Sequence, residues 1–315
     1  MTEQELIEYL KKYLFLEKPI YAAYNEDCSV IKLKKEKYLL LTTDAMVEGI
    51  HFDLTFTDFK SLGYKLAACN LSDIAAMGGE PKWALLTLGA PKPPEKDWID
   101  PFMKGLTTHL KKYKAFLVGG DTVKSPFFFF NLTLIGETGA PILRSGAKVG
   151  DYIFVSKPLG GCSAFLRKKK ENREKISPSL QRAYLRPKPE ILLGTALQKI
   201  AYAAIDISDG LVLDLYRLCQ ASGVSAEIDE SLIPIAQGAT LFDALFGGED
   251  YALLFTVPEN NLAKLQQISK KLKRSLYLIG RTKKGKEKVY LKRKEGRIEE
   301  IAPLGYDHFT SQPQL

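Results

Sequence analysis

The chain alternates short apolar runs with longer stretches in which apolar residues recur every three or four positions, a pattern typical of an α/β protein. Residues 1–12 form an amphipathic helix pattern. The lysine-rich segment 34–37 and the proline-rich segment 91–94 are predicted turns. In the first half, the pattern predicts strands over residues 29–33, 38–43, 82–89, 115–118 and 127–136, and helices over residues 61–77 and 98–113.

A glycine-containing segment at 144–151 is the predicted hinge to a second unit with the same plan. A chain of 315 residues is long for one compact core, and two domains of roughly 150 residues are expected. The sequence therefore predicts an α/β (α+β) protein with one domain over residues 1–143 and another over residues 144–315. In the second domain, strands are predicted over residues 152–156, 203–207, 251–257 and 275–280, and helices over residues 178–184, 188–199, 211–222 and 260–272.

Composition favours a cytoplasmic protein that does not enter a membrane. Hydrophobic residues make up 45% and charged residues 26% of the chain, and no apolar run approaches the ~20 residues of a membrane span. The polar N-terminal helix pattern is unlike a signal peptide. The four cysteines lie far apart without a C-x-x-C pair, which favours a reducing compartment and argues against a zinc module.

The net charge of +8 leaves three interpretations open. Basic residues are concentrated at 167–170 and between 264 and 297. A solvated surface is favoured, a field that steers anionic substrates is the second choice, and a nucleic-acid interface is the third. The last lacks interleaved arginine and aromatic residues and a helix-turn-helix pattern, so nucleic acid is not a predicted partner.

Acidic residues stand in five polar clusters, each beside an apolar run. Carboxylates packed against apolar strands are poorly solvated, but several together with Ser and Thr hydroxyls are suitable ligands for Mg²⁺ and, through it, for phosphates. Each Asp alone could equally cap a helix or a turn. Together they predict a magnesium-dependent phosphoryl-transfer site. The seven acidic residues are Glu26, Asp27, Asp44, Asp73, Asp121, Asp206 and Asp209.

Other candidate motifs are weaker. The glycine-rich segment 119–122 is predicted to be a turn whose N–H groups approach an anion, with Lys124 and Arg144 available to phosphate oxygens. Segment 280–287 resembles a P-loop but lacks its Ser/Thr and precedes a predicted strand, so a basic hairpin turn is favoured. His109, in a lysine-rich helical face, is predicted to be solvated, whereas His51 could pack in a core or contact a substrate.

Seven motifs in one order give the chain a resemblance to thiamine-monophosphate kinases. This family shares its fold with aminoimidazole ribonucleotide synthetase and selenophosphate synthetase, and the motifs span nearly the whole chain. Asn25-Glu26-Asp27 departs from the family's Gly-Asp-Asp, Val123 replaces a common Thr and Met103 a common Tyr. The matching motifs are TTDAMVEGIHF (42–52), NLSDIAAMGG (70–79), GGDT (119–122), RSGA (144–147), DISDGL (206–211), GGEDY (247–251) and GYDHF (305–309).

The resemblance implies transfer of the γ-phosphoryl group of ATP to thiamine monophosphate, by a homodimer that binds ATP near its subunit interface. It implies an N-terminal domain that binds metal and ATP and forms the dimer. Several Mg²⁺ ions would be held by Asp27, Thr42, Thr43, Asp44, Asp73, Asp121, Asp206 and Asp209, of which Asp73, Asp121 and Asp209 are the expected catalytic residues. ATP would contact Gly120, Asp121, Arg144 and Ser208. Thiamine would contact His51, Glu249, Tyr306 and Phe309.

Another ATP-using enzyme of the same superfamily is the nearest alternative. A selenophosphate synthetase is expected to carry a reactive Cys or selenocysteine beside a Lys near its N-terminus, and this chain does not. Aminoimidazole ribonucleotide synthetases lack the GIHF and GYDHF sequences found here. The expected chemistry agrees with the residues, since phosphoryl transfer needs charge neutralisation and in-line positioning more than a covalent nucleophile.

Overall fold

The computed structural model describes residues 2–171 and 175–309. Each half of the chain builds one mixed β-sheet with helices packed on it, which confirms the predicted α/β (α+β) two-domain fold. The predicted boundary at residues 143 and 144 falls between the two sheets and stays a prediction. Within the described part of the chain, no helix is both long and apolar enough to cross a membrane.

The first sheet has six strands in the order β1-β2-β3-β6-β4-β5. All neighbours pair antiparallel except β4 and β5, which are parallel and leave β5 at the edge. Burial alternates residue by residue along β6, because one face of the sheet is covered by helices and the other is open. The strands are β1 (Ile20–Ala22), β2 (Ser29–Lys34), β3 (Lys37–Val47), β4 (Glu80–Ala90), β5 (Phe116–Lys124) and β6 (Phe129–Thr138).

The second sheet has seven strands in the order β13-β12-β9-β11-β7-β10-β8. Every residue of β8 and β10, at one side of the sheet, is buried, whereas β11 in the middle is only partly buried. The strands are β7 (Tyr152–Val155), β8 (Ala203–Ile207), β9 (Ser225–Asp229), β10 (Ala252–Val257), β11 (Tyr277–Lys283), β12 (Val289–Lys292) and β13 (Ile298–Glu300).

Helix α2 is the central helix of the molecule, because it packs on the first sheet and also contacts β8 and β10 of the second. It meets α3 at a close crossing, where a Cβ on Gly63 would lie 2.1 Å from the Phe102 carbonyl oxygen. Only glycine permits this approach. The helices are α1 (Glu3–Leu10), α2 (Phe59–Ala76), α3 (Lys96–Lys112), α4 (Gly161–Lys170), α5 (Pro178–Leu185), α6 (Ile191–Leu197), α7 (Leu211–Ser222), α8 (Leu241–Phe246) and α9 (Leu262–Leu272).

Two sequence-based expectations about strands are wrong. The run 115–118 does not form a buried strand that ends in a turn at 119–122, because β5 continues to Lys124 as an exposed edge strand. Segment 280–287 is not a hairpin turn. It joins β11 to β12, but these strands flank β9, and β12 pairs with β9 in parallel. The strand that follows still excludes a P-loop, which requires a helix there.

His109 is also not solvated as predicted. It is 1% exposed and stacks on Tyr64 of α2, with ring centroids 3.6 Å apart. Lys111 and Lys112 follow it in sequence and are exposed, whereas the His109 ring turns toward α2, so its neighbours in the chain misrepresent its surroundings. Burial lowers the pKa of His109 to about 3, so the neutral ring is the folded form.

Candidate active site

Carboxylates from both domains meet between the two sheets. Asp27 precedes β2, Asp73 lies in the last turn of α2 and Asp206 lies in β8. Each offers a carboxylate oxygen, and these oxygens all lie within 4.8 Å of one another. We call these three residues and the neighbouring Asp44 the acid cluster. The Ser72 hydroxyl donates to Asp206 Oδ2 at 2.6 Å, and the Thr42 hydroxyl donates to Asp73.

The electrostatics of the acid cluster fit a bound cation. Burial first, and then the neighbouring carboxylates, raise the pKa of Asp44 to about 6. The same two causes hold the pKa values of Asp73 and Asp206 well above their usual range. Asp27 Oδ2 is buried without a hydrogen-bond partner. A hard divalent cation would remove the repulsion and complete this oxygen's coordination, since carboxylates and hydroxyls are its preferred ligands.

The departure at residues 25–27 is accommodated by the backbone. Asn25 adopts a left-handed conformation with φ +60°, which Asn tolerates better than most residues other than Gly. The Glu26 carboxylate accepts the Arg144 backbone N–H at 2.8 Å. The Arg144 side chain donates to Asp27 Oδ1 at 2.5 Å. The changed motif therefore still presents Asp27 to the acid cluster and brings Arg144 beside it.

The Ser208–Asp209 loop is held by two residues that the sequence analysis did not identify. Asp214 of α7 is fully buried, and its Oδ2 accepts the backbone N–H groups of Ser208, Asp209 and Gly210 at 3.1–3.2 Å. Arg217 donates to Asp209 Oδ2 at 2.5 Å and to Asp214 Oδ1 at 2.8 Å. The spacing of three residues between Asp214 and Arg217 on a predicted helix was the available signal.

A cavity of about 1010 Å³ opens from the acid cluster. Its lining includes Asp44, Asp73, Asp206, Ser208 and Asp209. A second group of lining residues, which we call the histidine end, comprises His51, Glu249, Tyr306 and His308, and it adjoins the first group because the Glu249 N–H donates to the Ser208 carbonyl at 2.7 Å. The His51 and His308 rings lie 5.1 Å apart, and the Tyr306 N–H donates to the Asp209 carbonyl at 3.0 Å. The fold thus joins residues 44 and 308 in one cavity, as the motifs predicted for His51, Glu249 and Tyr306.

Lys65 is a third site residue that the sequence analysis missed. Its side chain is 1% exposed within α2, and its Nζ lies 2.6 Å from Glu249 Oε1. Burial is the largest single influence and lowers the pKa of Lys65, but the charge and hydrogen bond of Glu249, together with Tyr184 and Cys162, raise it overall. A lone lysine inside a Leu- and Ala-rich helical run was the available signal, because lysine is seldom buried without a partner.

Several predicted site residues do not reach the cavity within the described chain. Thr43 is exposed on the open face of the first sheet, opposite Thr42. Asp121 is exposed on β5, three strands from β3, which places its backbone about 14 Å away at ~4.8 Å per strand. Gly120 lies beside it, where a Cβ would come within 1.8 Å of the Leu86 carbonyl oxygen. Phe309 is 63% exposed and is not part of the described cavity lining.

Both halves of the chain match known protein families. Residues 25–138 match the family model "AIR synthase related protein, N-terminal domain", and residues 148–292 match its C-terminal domain. Solved structures of hydrogenase maturation protein HypE share the fold, at 16% identity and a TM-score of 0.71 for one in complex with ATP. The fold and the acid cluster between the domains define an AIR synthase related protein.

Closer relatives specify the family. Thiamine-monophosphate kinase from Haemophilus influenzae is 36% identical, with 98% of each chain covered, and that from Bacillus subtilis is 33% identical over 98% of this chain and all of the relative. The structure of AaThiL complexed with AMPPCP and TMP matches with a TM-score of 0.85 and 35% identity, covering 98% of this chain and 97% of that one. The chain therefore belongs to the thiamine-monophosphate kinase family.

Proposed function

We propose that the protein transfers the γ-phosphoryl group of ATP to thiamine monophosphate, giving thiamine diphosphate and ADP. The observation that supports this most directly is that Asp44, Asp73 and Asp206 of the acid cluster line the same cavity as His51, Glu249 and Tyr306. An ATP-dependent kinase needs a site for charged phosphates and a separate site for its acceptor. The relative with AMPPCP and TMP bound supports the same pair of ligands.

Several Mg²⁺ ions are the metals we propose for the acid cluster. Asp27, Asp73 and Asp206 would hold one, because their oxygens already lie within 4.8 Å of one another. Asp44 and Asp209 line the same end of the cavity and would bind others, with the Thr42 hydroxyl beside them. When bound, such ions neutralise phosphate charge. Arg144 and Ser208 lie next to these ligands, where they would contact ATP phosphates.

The histidine end of the cavity suits the thiamine rings. A thiazolium ring is cationic and an aminopyrimidine ring is flat, so a carboxylate and an aromatic face are suitable partners. Glu249 supplies the carboxylate and Tyr306 the ring, while His51 Nδ1 accepts the Val47 N–H at 3.2 Å and its imidazole is held facing His308. Phe309, exposed outside the cavity lining, has less structural support as a substrate contact than Tyr306.

Direct in-line transfer, without a phosphoenzyme, is the proposed mechanism. Among the hydrogen bonds that the structure describes, none joins a histidine ring to a carboxylate that would activate it as a nucleophile. His51 accepts a backbone N–H, His109 is buried against Tyr64, and His308 lies beside the Tyr306 hydroxyl. The acceptor is already an ionised phosphate near neutral pH, so a strong general base is not required. The residues of this chain then act by holding both substrates in line and excluding water.

A homodimer in the cytoplasm is the proposed working form. The open face of the first sheet exposes Trp83 and Leu85 by 44% and 43%, and edge strand β5 exposes Phe116 and Val118 by 52% and 60%. A second copy would cover this apolar surface and give Gly120 and Asp121 a place beside a subunit interface. The four cysteines are free and buried, which agrees with a reducing compartment.

One assay tests the proposal. The protein is incubated with Mg²⁺ and γ-labelled ATP, with thiamine monophosphate, with thiamine or with neither, and the products are separated by chromatography. We expect labelled thiamine diphosphate with the monophosphate only and no acid- or base-stable label on the protein. Absence of labelled thiamine diphosphate would reject the function and leave another superfamily activity as the alternative. Stoichiometric protein label that chases into product would reject direct transfer.

A further inference from the structure

Helix α2 carries a polar stripe that connects the two domains. Lys65, Cys69 and Ser72 are spaced by four and three residues, so they share one face of the helix. All three are buried in a helix whose other buried residues are mostly apolar. Each contacts a residue of the C-terminal domain: Lys65 contacts Glu249 at 2.6 Å, Cys69 donates to the Tyr251 hydroxyl at 2.9 Å and Ser72 donates to Asp206 at 2.6 Å.

The Lys65 ammonium group is enclosed by groups that fix its position. Besides Glu249, its Nζ donates to the His51 carbonyl at 3.5 Å and lies 4.0 Å from the centre of the Tyr184 ring. The Tyr184 hydroxyl also reaches the His51 carbonyl, at 3.5 Å. A buried ammonium group is unfavourable unless it is paired in this way. Lys65 therefore links the His51 backbone and the Glu249 side chain, both of which line the histidine end.

Glu249 is held in an unusual conformation at the cavity wall. Its φ is +63°, a left-handed conformation that non-glycine residues seldom adopt, and its N–H donates to the Ser208 carbonyl at 2.7 Å. Cys162 donates to Oε2 at 3.1 Å, and Lys65 binds Oε1. The side chain is still 24% exposed, toward the cavity. Strained backbone of this kind persists where neighbouring contacts determine it.

We propose that Lys65 is a positioning residue for the acceptor, which fixes the Glu249 carboxylate and the His51 backbone at a set distance from the acid cluster. This inference rests on the proposed function. Lys65 and Asp73 lie eight residues apart on α2, about 12 Å at 1.5 Å per residue. One rigid helix thus carries a ligand of the acid cluster near one end and the anchor of the histidine end near the other.

The charge of Lys65 also affects how the Glu249 carboxylate can interact with the acceptor. The Lys65 ammonium group and the Cys162 thiol each bind one oxygen of the Glu249 carboxylate, which fixes its orientation. The Lys65–Glu249 pair is then close to neutral, so Glu249 offers the acceptor an oriented oxygen rather than a full uncompensated charge. We infer that selectivity at the histidine end comes from the position of this oxygen as much as from its charge.

The test compares four variants with the wild type. Lys65→Met removes the charge at nearly constant size, and Lys65→Arg keeps it. The double variant Lys65→Met with Glu249→Gln removes both charges and leaves no unpaired buried ion. Arg293→Met is the matched control, because Arg293 pairs with Glu299 at 2.7 Å and with Glu230 at 3.3 Å, and none of the three lines the cavity. Melting temperature, kcat, both KM values and calorimetric binding of thiamine monophosphate without ATP are measured.

We expect Lys65→Met to weaken the binding of thiamine monophosphate, raising its KM and Kd by at least about tenfold. The KM for ATP should stay within about twofold of wild type. Lys65→Arg should recover much of the loss. The double variant should recover the melting temperature but not the acceptor affinity. Arg293→Met should lower the melting temperature and leave both KM values unchanged.

Three results would overturn the inference. The first is wild-type acceptor affinity in Lys65→Met or, if that variant does not fold, in the double variant. The second is an equal loss for both substrates, and the third is the same loss of acceptor affinity in Arg293→Met, which would indicate general destabilisation. A wild type that phosphorylates thiamine monophosphate while the Lys65 variants behave normally rejects this inference alone. A wild type that does not phosphorylate it rejects the proposed function as well.

Discussion

The two faces of the first sheet carry the same kinds of polar residue, but one face is covered by helices and the other is exposed to solvent. The covered face turns Thr42 and Asp44 toward α2, where they join Asp73. The open face turns Thr43 and Asp121 to solvent, among exposed apolar side chains. Adjacent residues of one strand point to opposite faces, so a motif such as Thr42-Thr43-Asp44 is divided between them.

This difference distinguishes the site residues that one chain brings together by itself from those that it leaves on an exposed surface. The covered face assembles the acid cluster from residues of both domains without help from another molecule. The open face presents Asp121 beside an apolar surface, an arrangement that suits an interface better than a free surface. Substitutions on the covered face should therefore change turnover within a single subunit. Substitutions on the open face should change turnover by preventing two subunits from associating.

Loss of a ligand of the acid cluster, which is packed against the covered face, should have the largest effect on turnover. We expect Asp73→Asn to lower kcat by about 10³-fold or more, because it removes a charged ligand from a phosphoryl-transfer site. Burial and the neighbouring carboxylates raise the Asp73 pKa, so the variant should also melt at a higher temperature without Mg²⁺. Activity assays and melting curves with and without Mg²⁺ measure both effects.

The control for this prediction is Asp100→Asn, on the exposed surface of α3. It should behave as wild type in both measurements. Full activity of Asp73→Asn, or of the wild type in excess EDTA, would mean that the acid cluster is not the metal site.

A charge on the open face should have the next largest effect. Val118→Lys places an ammonium group on edge strand β5, where we expect a subunit interface. Burying an unpaired charge there costs several kcal/mol, so light scattering should show a monomer for this variant and the proposed dimer for the wild type. Turnover should fall by about tenfold or more, if Asp121 acts only at the interface.

Leu192→Lys is the matched control for the open face, since Leu192 is 70% exposed on α6 and belongs to the other domain. It should leave both the mass and the turnover unchanged. A Val118→Lys variant that remains dimeric and active would show that β5 is a free surface, and the comparison between the two faces would lose its functional meaning.

The histidine end offers a smaller effect that compares two aromatic residues. Tyr306 lines the cavity, whereas Phe309 is 63% exposed outside its lining. We expect Tyr306→Ala to raise the KM for thiamine monophosphate by about 5- to 30-fold. This corresponds to the loss of ~1–2 kcal/mol from one desolvated aromatic contact. Phe309→Ala should change it by less than about twofold. Equal effects on both KM values in Tyr306→Ala, with a lower melting temperature, would instead indicate a packing role.

Many strand and helix positions followed from the sequence, but β9 and α4 were not predicted. The continuous β-rich run of β6 and the Leu and Ala content of α2 identified these two elements. The same reasoning failed for β5, since an apolar run can cover an interface as readily as a core. The sequence also could not show that β12 joins β9 rather than β11, because register in the second sheet is set by long-range packing.

The site was predictable where a motif supplies the ligand and not where packing supplies the partner. Asp27, Asp73 and Asp206 were identified as acidic residues in polar motifs, and the fold brings them together. Lys65 and Arg217 were missed, because each is one ordinary charged residue on a helix until its partner from another segment is known. The places where local patterns gave a wrong answer, such as His109, are those where tertiary contacts outweigh the neighbouring sequence.

The smallest predicted effect lies behind the covered face, at the packing of α3 on α2. His109 is buried against Tyr64, and burial lowers its pKa to about 3, from an ordinary value of 6.5. Between these values the unfolded chain binds a proton that the folded protein does not, so the free energy of unfolding decreases as the pH falls.

The variant His109→Phe removes the titrating group while keeping a stacked ring. Neither imidazole nitrogen of His109 has a hydrogen-bond partner in the described structure, so the substitution breaks no hydrogen bond there. From pH 7.5 to 5.5 we expect the wild type to lose about 1.4 kcal/mol more unfolding free energy than the variant. Denaturant unfolding of both proteins at the two pH values measures this difference, and titration of the acid cluster cancels because it is common to both. Equal losses would place His109 in contact with water and remove the claim that this side of the sheet is a closed hydrophobic layer.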